Sequence, residues 1–121
     1  MELIERPRRL RSTAILRAMV RETSIAPTSL ILPVFIREGL TAPKPIKGMP
    51  GVVQDTKDSY KAEIDRALEA GIGGVMVFGI PEKRDPLGSE ALNPEGVLST
   101  AIRDARARAG DALVIVADLC L

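Results

Sequence analysis

The chain has 121 residues, 45% of them hydrophobic and 27% charged, with a net charge of +1. That is one small domain able to bury roughly two thirds of its unfolded surface, and its near-neutral balance gives no reason to expect nucleic acid or an acidic membrane as partner. It has no histidine and no tryptophan and a single cysteine, Cys120, which removes imidazole chemistry, a base-stacking platform and an internal disulfide framework.

No apolar run approaches the roughly 20 residues of a bilayer span, and Met1–Glu5 lacks the layout of a secretory signal. The expected location is the cytoplasm, with organelle import left open.

Residues 1–29 read as an arm outside the core. Four arginines fall within Arg6–Arg11. Ser12 can cap a short helix that places Ile15, Leu16, Met19 and Val20 on one face. Docking of this arm on another subunit is the favoured reading over nucleic-acid contact or targeting. Thr23 to Ser29, with Pro27, is a break.

From residue 30 a repeating pattern begins. Residues 30–36 form an apolar run expected of a buried strand, although Pro33 counts against a central position. Residues 58–70 read as a helix, capped by Asp58 or Ser59 and ended by Gly71. Its apolar face is Tyr60, Ile64, Ala67 and Leu68. A second strand is expected over 73–79. Asn93 and Pro94 then suit the start of a second helix, with Val97, Leu98, Ala101, Ile102 and Ala105 inward and Gly110 at its end. The third strand is expected over 112–119.

Alternating strands and helices with right-handed crossovers predict an α/β fold with a parallel sheet. A doubly wound sheet and a (β/α)8 barrel both satisfy the pattern. The barrel is preferred because neither G-x-G-x-x-G nor a Walker loop follows the first strand. The same absence counts against a phosphate-binding α/β domain.

Connection lengths locate the chemistry. The helix-to-strand links are short, whereas the strand-to-helix links, 37–57 and 80–93, are long. In a barrel the long links gather at the carboxyl ends of the strands, where active sites are built. One link contains the turn Gly48–Gly51, which can join short strands over 44–48 and 52–55. The other contains Glu82–Ser89, read as a solvated loop with a lid as the alternative. The five lysines, Lys44, Lys47, Lys57, Lys61 and Lys83, fall in loops or on a polar helix face, so none suits a Schiff base. Asp118 and Cys120 share one side of the third strand by alternation. A carboxylate beside a thiol at a barrel mouth suits a metal, though a lone cysteine there is more often a packed core residue. Three strands ending at residue 121 would leave an open edge, so the chain reads as a fragment.

Several motifs in register then carry a resemblance. They are Arg6–Arg11, Leu32-Pro33-Val34-Phe35, Met49-Pro50-Gly51-Val52, and Phe78-Gly79-Ile80-Pro81 followed by Lys83, Asp85, Gly88-Ser89 and Ala91. Asp118-Leu119-Cys120-Leu121 completes the set. Over essentially its whole length the chain resembles the porphobilinogen synthase (5-aminolevulinate dehydratase) family.

The resemblance implies the first three β/α units of a (β/α)8 barrel, residues 30–121, behind an arm that wraps a neighbouring subunit in a homo-octamer. It implies a lyase that condenses two 5-aminolevulinate molecules to porphobilinogen in tetrapyrrole synthesis, with the Schiff-base lysines and the substrate carboxylate-binding residues encoded beyond residue 121. It implies zinc, with Cys120 the first of three cysteine ligands and Asp118 an active-site carboxylate. Magnesium is a second candidate metal. The isolated piece is expected to be inactive. A non-catalytic interaction module that binds synthase subunits through its arm, or a pseudogene product, is the alternative.

Overall fold

The computed structural model describes residues 7–119. A short helix α1 (Ala14–Met19) precedes strand β1 (Ile31–Arg37), a hairpin of β2 (Lys44–Pro45) and β3 (Val53–Asp55), and helix α2 (Lys57–Glu69). Strand β4 (Gly74–Ile80), helix α3 (Val97–Ala109) and strand β5 (Val114–Ala117) complete the order. The expected β/α alternation is present.

One sheet runs β2-β3-β1-β4-β5. β4 is parallel to both β1 and β5, and the hairpin's second strand lies parallel to the far end of β1, at Phe35 and Ile36. That last pairing answers the objection raised by Pro33. The β3 ladder begins two residues beyond it, so β1 is an edge strand where its proline sits.

The helices cover one face of the sheet. Val34, Ile36, Val75 and Val77 pack against Tyr60, Ile64 and Ala67 of α2 and Val97, Ala101 and Ala105 of α3, all buried. The apolar strands predicted burial on both faces, and here they differ. On the face away from the helices Phe35, Met76 and Val116 are only half-covered and Val114 is 62% exposed, because these strands form an open sheet and the described residues place no second layer on that side.

Helix starts differ from expectation in an informative way. α2 is capped by Thr56, not Asp58 or Ser59. Thr56 Oγ1 accepts from the Ser59 amide and Ser59 Oγ accepts from the Thr56 amide, a reciprocal box in which serine replaces the usual glutamate. α3 begins at Val97 behind Gly96, not at Asn93 and Pro94. Asn93 instead ties a turn, its side chain accepting from the Glu95 amide and its carbonyl from the Gly96 amide. α1 is capped by Thr13 rather than Ser12, whose hydroxyl bonds back to the Arg9 carbonyl. β5 is also shorter than the expected strand, since Ala112 belongs to the turn after α3 and Leu113 enters the core.

Two glycines set how the layers meet. Gly110, at φ +54°, ends α3 in a conformation that favours glycine. At Gly79 a Cβ would lie 2.7 Å from Leu98 Cβ, so only glycine lets the first turn of α3 rest on the end of β4.

Residues 7–29 stay outside the core. Ile15 is 69% exposed and Met19 75%, and within this segment only Leu16 is partly covered. The amino-terminal residues of the arginine cluster before Pro7 lie outside the described residues.

Candidate active-site mouth

The carboxyl ends of β1, β4 and β5 lie side by side, and alternation fixes what each offers. On β1 the buried Val34 and Ile36 face the helices, so Phe35 and Arg37 face the opposite side, the inner side of a barrel wall. On β4 that side carries Met76, Phe78 and Ile80, and on β5 it carries Val114 and Val116. Phe35 and Phe78 stack across the strands at 4.9 Å between ring centres and 20° between planes, an offset pair that forms an apolar floor.

Polar groups ring this floor. Asp118 follows β5, and its amide still donates to the Val77 carbonyl. The ladder therefore continues one residue past the strand and sets Asp118 beside Phe78, on the inner face, half-exposed. Asp118 is thus where alternation predicted it. Cys120 lies outside the described residues, so its direction is not part of this geometry. Among the described residues no three His, Cys, Asp or Glu side chains converge to hold a metal. The described residues alone do not make a zinc site.

Arg37 was not singled out from the sequence, although its signal was present, two residues from Phe35 on the same face. Its Nη1 donates to Gln54 Oε1 at 3.2 Å. Gln54 is firmly held, because β3 pairs with β1 and the next residue, the buried Asp55, accepts a 2.7 Å bond from Ser59 Oγ in the α2 cap.

The lysines agree with the sequence reading. Lys44, Lys47, Lys57 and Lys83 are exposed, and the half-buried Lys61 pairs with Asp58 at 3.4 Å. Lys44 stands opposite Gln54 in the hairpin, and so on the Phe35 side of the sheet, but it lies at the exposed outer strand, one strand beyond β3.

The two long links meet above the mouth, where the Glu82 amide donates to Glu38 Oε2 at 3.0 Å. Within the second link Asp85 Oδ1 accepts from the amides of Leu87 (2.9 Å) and Ser89 (3.1 Å). The loop is solvated, with Leu87 87% exposed, yet it is organised around this carboxylate. Chiefly the Ser89 amide, then its hydroxyl and the Leu87 and Gly88 amides, hold Asp85 below the ordinary aspartate value of 3.8. Because the folded value is depressed, this ordering is present above about 3.8 and is lost as pH falls through the lower folded value. The Leu87 and Ser89 amide shifts, followed by NMR, should titrate together with a midpoint under 3.8.

A cavity of about 140 Å3 lies elsewhere, between β1, β3 and α2, lined in part by Pro33, Asp55, Glu63 and Arg66. It includes neither Arg37 nor Asp118.

Parallel strands separated by helices, with long links and polar side chains at one end, define a segment of a (β/α)8 barrel. The sequence profile of the delta-aminolevulinic acid dehydratase family matches residues 4–121. The delta-aminolevulinic acid dehydratase of Streptomyces coelicolor is 51% identical over 118 residues, covering 96% of this chain and 36% of that protein. That of Mycobacterium tuberculosis is 46% identical over 119 residues, covering 97% and 36%. The crystal structure of the Toxoplasma gondii delta-aminolevulinic acid dehydratase (porphobilinogen synthase), in complex with the reaction product porphobilinogen, superimposes with a TM-score of 0.85 at 30% identity, over 98% of this chain and 34% of that one. The chain belongs to the delta-aminolevulinic acid dehydratase family. It spans about a third of the length of these relatives.

Proposed function

We propose that this chain forms the opening strands of a porphobilinogen synthase, which joins two 5-aminolevulinate molecules with loss of two waters. The observation that carries the reading is the coincidence of family and geometry. A family match runs through residue 121, and the inner-face carboxylate Asp118 stands at the carboxyl end of the third barrel strand. In this reading Asp118 accepts or holds a proton beside the reacting carbons, over the apolar floor of Phe35 and Phe78.

The proposal includes zinc held by Cys120 as the first of three cysteines, with the other ligands outside residues 1–121. When bound, the metal would polarise a substrate oxygen or water. It also includes a role for residues 7–29 in homo-octamer assembly. The exposed stripe of Ile15 and Met19 supports that role, since apolar side chains uncovered on one helix face suit a partner surface.

With four of the five lysines exposed and the fifth paired to Asp58, none is a buried amine suited to a Schiff base, and we expect the chain by itself to be inactive. The test is direct. The full-length protein should convert 5-aminolevulinate to porphobilinogen, and borohydride should trap a substrate adduct on a lysine outside residues 1–121. An adduct on Lys44, Lys47, Lys57, Lys61 or Lys83 would sink the assignment of roles, and absence of turnover would sink the reading itself.

A further inference from the structure

The two sides of β1 are paired unevenly. β4 runs alongside it from Ile31 to Arg37, whereas on the other side β3 takes only Phe35 and Ile36. Residues 31–34 therefore present an open strand edge, a feature that folded proteins keep covered or blunted. The cavity of about 140 Å3 lies against this edge, with Asp55 and the α2 side chains Glu63 and Arg66 in its wall.

This cavity holds more negative than positive charge. Asp55 is 3% exposed, and its one side-chain hydrogen bond among the described residues is the one that Oδ1 accepts from Ser59 Oγ. No described side-chain oxygen is sealed away without a partner, so Oδ2 opens on the cavity that Asp55 lines. A carboxylate can accept several more bonds, and one at this depth calls for a cation. Arg66 does not meet that need. It pairs with Glu63, and its side chain is 68% exposed against 18% for Glu63, so the guanidinium sits outermost and the two carboxylates lie deeper.

The chain spans about a third of the length of its relatives, and a barrel begun at β1 closes when its last strand and helix are set against that same edge. Resting on the function proposed above, we propose that the cavity is the socket of a lysine or arginine carried by the last β/α unit of the full-length protein and ion-paired to Asp55. The apolar part of the wall, Leu32, Pro33 and Val52, suits the hydrocarbon stem of such a side chain. The pair fastens the first unit of the barrel to the last and takes no part in the reaction at the mouth.

A crystal structure of the full-length protein and a double-mutant cycle test this. The structure should place a lysine or arginine nitrogen of the last unit within about 4 Å of the Asp55 carboxylate. Asp55→Asn keeps an acceptor for Ser59 and removes only the charge, and it should lower the melting temperature by at least about 5 °C. Replacing the basic partner with methionine should do the same, and both changes together should lower it little more than either alone. A neutral side chain, water alone or a cation from any other element facing Asp55 would overturn the proposal, as would additive shifts or an Asp55→Asn variant that melts with wild type. Should either variant fail to fold, the wild-type structure decides by itself. A wild type that converts 5-aminolevulinate to porphobilinogen while Asp55 faces no cation refutes the socket alone, whereas an inert wild type refutes the parent reading.

Discussion

Asp118→Ala in the full-length protein should lower kcat for porphobilinogen formation at least about a hundredfold, the usual worth of a positioned acid or base. Its melting temperature should stay within about 2 °C of wild type. The two halves of this expectation have separate grounds. Activity falls because the carboxylate stands on the inner face at the mouth, continuing the β5 register beside Phe78. Stability is spared because the contact that fastens Asp118 to the sheet is its backbone amide to Val77, which alanine keeps. Steady-state kinetics and a thermal melt on the same sample decide it. A variant with near-normal kcat would remove Asp118 from the reaction.

Tyr60→Ala should have the largest effect on stability, about 3–5 kcal/mol by denaturant titration. Tyr60 is fully buried between α2 and the rest of the core, and its hydroxyl donates to the Ala101 carbonyl of α3 at 3.2 Å. Removing the ring opens a hole at the α2–α3 seam, and the Ala101 carbonyl loses its side-chain partner. Tyr60→Phe keeps the ring and should cost only about 1 kcal/mol. Burial, with Asp104 adding to it, pushes the phenol well above its usual range, so the hydroxyl stays a donor throughout the pH range in which the protein would be studied. If Phe and Ala cost the same, the hydrogen bond rather than the packed ring would be the dominant contribution.

Much of this fold was legible because its signals are local and repeated. The apolar runs around Val34, Val77 and Ile115 fixed three strands, and Gly71 and Gly110 marked the helix ends. Even the hairpin turn at Gly48–Gly51 could be read, since β2 and β3 pair across it. The differences arise where a particular hydrogen-bond partner decides, either a few residues away or on another strand. Thr56 outranks Asp58 as a cap because Ser59 returns the bond and is itself held by Asp55. Pro33 looked misplaced until β3 proved to pair with β1 only beyond it.

The site divides along the same line. Alternation along one strand was enough to put Asp118 at the mouth. Arg37 passed unnoticed because its interest depends on Gln54, 17 residues on and brought alongside by sheet pairing. The family itself was legible sooner than the role of any single residue, since its motifs are spread along the chain and each is weak alone.

The bare backbone at Gly79 has one more result. Leu98 meets the end of β4 directly, and residues 93–96 add to the seat of α3, with Ser99 bonded to the Asn93 carbonyl and Arg103 to Pro94 and Glu95. Length changes should therefore be borne best in the exposed stretch 83–87, ahead of those contacts, which leaves that part of the rim open to re-engineering for a different guest.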